Sequence, residues 1–243
     1  MEDPLTIEEL EKALWSLANG KSPGPDGITA EFYKKFWHLI KDRYLLYITQ
    51  AKSSGFHEYR NQSSITIVYK RKGEVYKLDY YRPIALINVD LKILTKGLNN
   101  RLRSVLPSII HQSQTAIDKR QINHTVHMIR DLIDLINKDN YEGALIFLDQ
   151  EKAFDRVEHD FLFKSISAFG IGDNFIDWLK VIYANATTRI KINGFYTNSI
   201  PLTRGLHQGC PLSPSLYVLV IEILALQFRT NPNIVGFRIN GKK

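Results

Sequence analysis

The chain has 243 residues, of which 44% are hydrophobic, so it is long enough to bury a sizeable core. Its 32 Lys and Arg outnumber its 25 Asp and Glu, and the net charge of +7 suits a polyanionic partner without establishing one. The single cysteine, Cys210, excludes an internal disulfide and fits a reducing compartment. The longest apolar run, residues 216–228, is too short to span a bilayer and contains Glu222.

The amino terminus is acidic and predicts a helix rather than a signal peptide, because Thr6 and Glu9 have the spacing of a capping box. We therefore expect an intracellular protein, in the cytoplasm or the nucleus, that is not secreted and does not enter a membrane. Hydrophobic periodicity predicts the elements that follow. Before residue 140 these are helices over about 7–18, from about 29, over 91–105 and over 123–137, and a hairpin of strands 64–69 and 81–86 around the basic turn 70–73.

Residues 143–157, GALIFLDQEKAFDRV, carry the strongest functional signal in the chain. The apolar residues 145–148 predict a buried strand, and Asp149 stands where that strand ends. A carboxylate in this position is suited to hold a metal ion at the edge of a cleft, and magnesium prefers such hard oxygen ligands. The residues alone leave an alternative open, in which Asp149 only caps the next helix.

A second signal lies in residues 204–215, RGLHQGCPLSPS, where Gly205 and Gly209 bracket a polar pair. Gly allows close backbone approach to a ligand, and Ser213 and Pro214 suit the start of a following helix. An ordinary loop–helix junction would have the same composition. The other elements predicted after residue 157 are helices near 159–169 and 173–184, strands 188–192 and about 196–201 joined at an Asn-Gly turn, and a final strand 234–239. This mixture predicts the α+β class.

Four blocks of the sequence resemble the reverse transcriptase domain of non-LTR (LINE-type) retrotransposons, and they occur in that family's order. One such block would be a weak match, but four collinear blocks spanning nearly the whole chain make a specific one. The blocks are NGKSPGPDGITAEFYKKFW (19–37), the family's amino-terminal block; YYRPIALINVDLKILTKGLNNRL (80–102), its fingers motif; IFLDQEKAFDRVEHDFL (146–162), its motif A; and RGLHQGCPLSPSLYVLVIEILA (204–225), its motif B.

The resemblance implies a right-hand polymerase fold, of which this α+β chain would supply the fingers and a partial palm, with the thumb absent. It divides one reverse transcriptase domain into a helical extension of the fingers over residues 1–62, fingers over 63–140 and a partial palm over 141–243. It also implies an RNA template, a DNA primer and deoxynucleoside triphosphates as partners. The resemblance leaves the oligomeric state open.

The resemblance also assigns chemistry to individual residues. The family joins nucleotides by two-metal catalysis, in which Mg²⁺ ions clamp the attacking and leaving oxygens. Asp149 matches the first aspartate of motif A and would bind the metals, with the backbone carbonyl of Gln150 as a further ligand. Phe154 matches the steric gate, an aromatic ring that excludes a 2′-hydroxyl and so selects deoxynucleotides. Core packing is the alternative for this ring.

The nucleotide-binding positions follow from the same resemblance. Arg82 matches the fingers arginine that contacts the triphosphate, for which a guanidinium is suited by its bidentate geometry. Lys70 would lie near a second cation position, or else belong to a solvated turn. Gln208 and Gly209 match the motif B pair that lines the nucleotide and template pocket. Asp155, also in motif A, would have a supporting role or form a structural salt bridge.

The chain also departs from the family pattern. Motif C, an aromatic-x-Asp-Asp hairpin that supplies the remaining catalytic carboxylates, has no counterpart, since no two aspartates are adjacent in the sequence. One carboxylate holds two Mg²⁺ ions poorly, so we expect the chain to be inactive alone. Lys119 stands where the family often has a glycine, which permits a positive φ more readily. His207 replaces a common arginine or lysine, and we expect it to weaken nucleic-acid contact.

Two other functions fit parts of the pattern. A non-catalytic, nucleic-acid-binding remnant of a retroelement would explain the missing aspartate pair. A phosphatase of the aspartyl-phosphate type also sets an Asp at the end of a buried strand, but it needs a second Asp two residues on. This chain has Glu151 there. The four collinear blocks therefore favour a truncated polymerase domain over both.

Overall fold

The structure, a computed structural model, describes residues 1–57, 60–139 and 144–236. Within these ranges the chain combines seven α-helices with a five-stranded mixed sheet, which confirms the predicted α+β class. In chain order the elements are α1 (Ile7–Trp15), α2 (Ala30–Ser54), β1 (Gln62–Tyr69), a short 3₁₀ helix (Leu78–Tyr80), β2 (Tyr81–Leu86), α3 (Val89–Ile109), α4 (Ile122–Asp139), α5 (His159–Ala168), α6 (Asp173–Tyr183), β3 (Thr187–Ile192), β4 (Phe195–Tyr196), β5 (Ile200–Pro201) and α7 (Ser213–Thr230).

Local capping signals account for the ends of the first two helices. The Thr6 hydroxyl accepts a hydrogen bond from the Glu9 backbone N–H at 3.3 Å, and the Glu9 carboxylate accepts one from the Thr6 N–H at 3.0 Å. These reciprocal bonds satisfy backbone donors that the first turn of α1 would otherwise leave unpaired. α2 ends at Gly55, whose φ of +83° suits a glycine better than any other residue.

The sheet has the strand order β2-β1-β3-β4, with β5 also paired to β3. β1 and β2 form the predicted antiparallel hairpin, and β1 pairs in parallel with β3. The single strand predicted over 196–201 is divided in two, because β4 and β5 pair with opposite ends of β3. Between them the Thr197 hydroxyl accepts a hydrogen bond from the Ile190 N–H at 3.1 Å, which interrupts the regular ladder.

The core lies between the helices. Each of its large apolar side chains contributes about 1.5–3 kcal/mol through burial. The largest fully buried side chains are Phe175, Leu10, Leu14, Ile48, Ile87, Ile93, Leu94, Leu98, Leu102, Leu162, Ile166 and Leu179. α4 is amphipathic as predicted, but none of residues 122–138 is buried. Among the described residues, no helix is long and apolar enough to cross a membrane.

The predicted buried strand before Asp149 is wrong. Residues 144–150 belong to no strand, and Ile146, Phe147 and Leu148 are 75%, 80% and 71% exposed. A strand is buried only when neighbouring strands bond to it, and no described strand runs beside this segment. The final predicted strand is not seen over residues 234–236, which follow a turn closed by the Ile234 N–H donating to the Asn231 carbonyl, and residues 237–239 lie outside the described ranges.

Candidate active site

Asp149 lies in an exposed segment that leads into a compact turn. We call residues 144–157 the aspartate segment. In its turn the Asp155 N–H donates to the Lys152 carbonyl at 2.9 Å, and Lys152 has a φ of +52°. The next helix, α5, has Glu158 as its N-cap, nine residues beyond Asp149. The alternative that Asp149 caps the next helix is therefore wrong, and its carboxylate remains exposed at the surface.

The aspartate segment packs directly against residues 204–209, which we call the glycine loop. The Leu206 N–H donates to the Phe154 carbonyl at 2.8 Å, and the Gly205 N–H donates to the Val157 carbonyl at 2.7 Å. Gly205 has a φ of +93°, and a Cβ there would lie 3.2 Å from the Asp155 carbonyl oxygen. Glycine is thus required by both backbone conformation and space, and the two sequence signals form one site.

Tyr217, in the first turns of α7, joins this pair of segments. Its ring stacks on Phe154 with centroids 5.0 Å apart and planes at 21°, and its hydroxyl donates to the Gln150 side-chain oxygen at 2.7 Å. Burial and then the negative charge of Asp149 raise the pKa of Tyr217, so the carboxylate lies within electrostatic reach of the phenol. The sequence analysis missed Tyr217, although an aromatic residue four positions after Ser213 in a helix that follows a glycine loop was a usable signal.

The glycine loop also holds the edge strand β2. The Ala85 N–H donates to the Gln208 carbonyl at 2.8 Å. Gly209 has a φ of +118°, and a Cβ there would lie 2.6 Å from the Ala85 carbonyl oxygen, closer than atoms can approach. Gln208 and Gly209 are therefore brought against the predicted hairpin by backbone contacts that only glycine permits at position 209.

Arg82 and Lys70 occupy different places on the hairpin. Arg82 is exposed on β2 and shares a face with Ile84, whose side chain lies 3.9 Å from the position of a Cβ on Gly209. Its guanidinium bonds to no other described residue. The Lys70 ammonium instead donates to the Asp79 carbonyl at 2.7 Å and braces the turn. The structure thus places Arg82 on the side of Gly209, while Lys70 is engaged within the hairpin.

His207 and Cys210, the neighbours of the Gln-Gly pair, are both buried. The His207 ring stacks on Tyr183, with centroids 5.8 Å apart and planes at 11°. Burial, assisted by the nearby His159, lowers the pKa of His207 to about 4, so this ring is uncharged at neutral pH. Burial raises the pKa of Cys210, which therefore remains a thiol and fits the predicted packing role.

The oxygen atoms of Asp149 and Gln150 are of the type that binds Mg²⁺, but they are too few to hold the ion by themselves. The Asp149 carboxylate and the Gln150 carbonyl are hard donors of the sort Mg²⁺ prefers. Within residues 1–57, 60–139 and 144–236, however, no three His, Cys, Asp or Glu side chains are grouped closely enough to hold a metal ion. Asp155 forms no ion pair with a described residue and lines a cavity beside the glycine loop. These residues could hold Mg²⁺ only together with oxygens from the substrate.

Residues 69–238 match the family model described as reverse transcriptase (RNA-dependent DNA polymerase). The chain is 37% identical over 223 residues to the transposon TX1 uncharacterized 149 kDa protein of Xenopus laevis, covering 91% of this chain and 17% of that protein. It is 28% identical over 244 residues to the retrovirus-related Pol polyprotein from type-2 retrotransposable element R2DM of Drosophila melanogaster, covering 97% of this chain and 21% of the relative.

A third relative is the RNA-directed DNA polymerase from mobile element jockey of Drosophila funebris, which is 26% identical over 230 residues, 88% of this chain and 24% of that protein. The chain therefore spans less than a quarter of each of these three relatives. Because the family model covers most of the sequence, the chain belongs to the reverse transcriptase family. Its relatives identify it as a reverse transcriptase domain of non-LTR, LINE-type retroelements.

Proposed function

We propose that this domain forms the nucleotide-selecting part of an RNA-directed DNA polymerase that works by two-metal nucleotidyl transfer. The observation that carries the proposal is the direct backbone pairing of the aspartate segment with the glycine loop. In this proposal Asp149, Phe154 and Gly209 surround one surface, which Arg82 borders. Bound Mg²⁺ would supply charge to the phosphate oxygens and lower the pKa of the attacking hydroxyl.

Each residue of this surface has a role suited to its chemistry. Asp149 and the Gln150 carbonyl would hold the metal, and the Arg82 guanidinium, which has no partner among the described residues, would bind the triphosphate of the incoming deoxynucleotide. The Phe154 ring, fixed by its stack on Tyr217, presses on the sugar and excludes a 2′-hydroxyl. Gln208 and Gly209 let the nucleotide and the RNA template approach the backbone closely. Lys70 supports this site indirectly, by keeping the hairpin turn closed.

The same proposal assigns the architecture. Residues 1–62 form a helical extension of the fingers, residues 63–140 the fingers and residues 141–243 part of the palm. The exposed apolar run 145–148 forms no strand in the structure and is suited to pack against a partner segment, because exposed apolar runs mark interaction surfaces. The Asp-Asp pair that the family carries in motif C would come from such a partner.

The 243-residue chain alone is inactive under this proposal. Asp149 is one exposed carboxylate, and no cluster of three ligating side chains exists in the described part of the chain. The test is deoxynucleotide incorporation by the purified chain on an RNA template with a DNA primer and Mg²⁺. We expect none above background. Incorporation that disappears in the Asp149→Ala variant would contradict inactivity of the isolated chain while supporting the assigned active site.

A non-catalytic, nucleic-acid-binding remnant is the second candidate, and the missing ligand cluster is the observation that favours it. Filter binding to an RNA–DNA duplex at several salt concentrations separates the two. Both candidates predict binding that weakens linearly with the logarithm of salt concentration, because cations on the protein displace counterions. Only the polymerase predicts that Mg²⁺ and the correct deoxynucleotide tighten the complex. If the chain binds no duplex at low salt, both candidate functions are wrong.

A further inference from the structure

A cavity of about 390 Å³ lies between one face of the sheet and residues 201–208. We call it the sheet-face cavity. Its volume falls within the range of about 300–1,000 Å³ that is usual for small-ligand sites. Residues of the four strands β1, β2, β3 and β5 line it on one side, and the glycine loop lines it on the other. The residues that line it are Ser63, Ile65, Pro83, Ala85, Asp155, Thr188, Pro201, Leu202, Thr203, Arg204, Gly205, Leu206, His207 and Gln208.

The sheet-face cavity is separate from the surface that carries Arg82. Pro83 and Ala85 line the cavity, whereas Arg82 and Ile84 alternate with them along β2 and therefore point to the other face of the sheet. Ile84 is the residue that approaches Gly209 from that other face. The glycine loop thus has the proposed nucleotide site on one side and the cavity on the other.

His207 shows that the cavity wall has an unused polar group. The residue is only 7% exposed, it lines the cavity, and its ring makes no hydrogen bond to any residue that the structure describes. A neutral imidazole offers one donor and one acceptor, and buried polar groups normally have partners. The stack on Tyr183 fixes the ring plane. The ring therefore stands beside the cavity as a donor–acceptor pair without a partner among the described residues.

The rim and the remaining walls indicate the kind of ligand. Arg204 stands at the rim and pairs with Glu158 only at 3.5 Å, with both side chains 61% exposed, so water screens this contact and the guanidinium can exchange to a phosphate. Ile65, Pro83 and Leu202 offer flat apolar contact. The walls also include the acidic residue Asp155 and the hydroxyl residues Ser63 and Thr188. Apolar contact, polar groups that can accept as well as donate, and a cation at the mouth together suit a planar heterocycle attached to a phosphodiester.

We propose that the sheet-face cavity takes one unstacked nucleobase from single-stranded RNA, with Arg204 on the adjacent phosphate and His207 on the edge of the base. The proposal rests on the proposed function in one respect, that RNA is the natural partner of the domain. It adds a contact on the opposite face of the sheet from the nucleotide site. An RNA strand held in the cavity would be anchored before it reaches Gln208 and Gly209.

The experiment is an abasic scan of a short, fluorescently labelled single-stranded RNA, with affinity measured by anisotropy on the full chain. For the unaltered protein, removing one particular base weakens binding by about fivefold or more, because an ordered base contact of this kind contributes about 1 kcal/mol or more. In His207→Phe, which keeps a ring beside Tyr183, that position-specific loss falls below about twofold. Thr203→Phe fills the exposed mouth of the cavity and has the same effect without altering a buried residue.

Two controls distinguish the outcomes. Arg204→Ala weakens binding to all the RNAs alike and lowers the salt slope, whereas Arg43→Ala, an exposed arginine on α2, changes neither. Mg²⁺-dependent binding of a deoxynucleoside triphosphate is unchanged in the His207 and Thr203 variants, so this inference can fail while the proposed active site stands. A flat abasic profile, an unchanged profile in both variants, or absence of RNA binding would overturn it. Equal competition by free nucleosides would do the same, because the cavity would then be a small-molecule site.

Discussion

The ring of Phe154 stacks on the ring of Tyr217, 5.0 Å away, and thereby joins the turn after Asp149 to the helix after the glycine loop. The two residues are 63 positions apart in the sequence, and they come together because the backbone of Leu206 bonds to Phe154 itself. The Tyr217 hydroxyl then bonds to Gln150, next to the proposed metal ligand. One aromatic side chain thus positions both the ring proposed to face the sugar and the segment proposed to bind the metal.

Replacing Tyr217 tests these two functions separately. Tyr217→Phe keeps the stack and loses the hydrogen bond to Gln150, so we expect a loss of about 0.5–1.5 kcal/mol in the free energy of unfolding. Tyr217→Ala also removes the stack and most of the ring contact, so the loss rises to about 2–3 kcal/mol for this partly buried ring. Urea denaturation measures both. Equal losses in the two variants would mean that the stack contributes nothing.

Gly209→Ala is expected to separate β2 from the glycine loop. A Cβ there would meet the Ala85 carbonyl at 2.6 Å, and φ is +118°. Gly194→Ala is the matched control, because φ is +88° but nothing lies within 4 Å of the added carbon. Both variants carry backbone strain of about 1–2 kcal/mol, and Gly209→Ala loses at least about 1 kcal/mol more from the clash. Thermal unfolding of the pair measures the difference, and equal melting temperatures would show that the loop can simply shift.

Lys119→Gly is expected to stabilise the protein. Lys119 has a φ of +68°, a conformation that the family's frequent glycine at this place adopts more readily than lysine does. Removing the side chain relieves about 1 kcal/mol of strain, which raises the melting temperature by about 2–4 °C in a chain of this length. The control is Lys138→Gly on the exposed face of α4, which is expected to lower the melting temperature because glycine is unfavourable in a helix. An unchanged or lower melting temperature in Lys119→Gly would contradict the relief of strain.

His207 makes the stability of the fold depend on pH. Its pKa is lowered to about 4 in the folded chain from an ordinary value of 6.5, so the unfolded chain binds the extra proton first. The contribution of the neutral ring to the free energy of unfolding is fully present above about pH 6.5. It is lost as the pH falls toward about 4, and the total loss is about 3 kcal/mol. His207→Phe removes this component, so its unfolding free energy falls less steeply over that window. Parallel curves for the two proteins would show that the ring is not buried in its neutral form.

Sequence patterns predicted the elements whose cause is local. The capping box at Thr6 and the helix periodicity depend on neighbours within a few positions, and the structure has them. The hairpin around residues 70–73 pairs strands that follow each other directly in the chain, and it is present as well. The strand before Asp149 failed because its burial depends on partner strands, which no local pattern supplies. The contacts of Tyr217 were not predicted for the same reason, since they involve residues about sixty positions away.

The burial of His207 could not be predicted from the sequence either. A histidine beside Gln208 at a site expected to meet nucleic acid suggested a weakened substitute for a cation. Whether it faces an anion or the core depends on Tyr183, from a helix 24 positions earlier, which covers one face of the ring. The expectation that nucleic-acid contact weakens there stays a prediction, and it concerns contact with phosphates. Its physical basis changes, because a buried neutral ring carries no charge to offer a phosphate.

The central claim is that Asp149 binds the metal ion that accompanies a deoxynucleoside triphosphate. The most direct measurement is calorimetric binding of a deoxynucleoside triphosphate in Mg²⁺ and in chelator, for the unaltered chain, Asp149→Asn and Glu151→Gln. Glu151 is an exposed carboxylate two residues away, paired with Arg156, so its variant matches the change in charge. We expect Asp149→Asn to lose about tenfold or more in affinity, only when Mg²⁺ is present, and Glu151→Gln to change little. Equal losses in both variants, or a loss that persists in chelator, would contradict the claim.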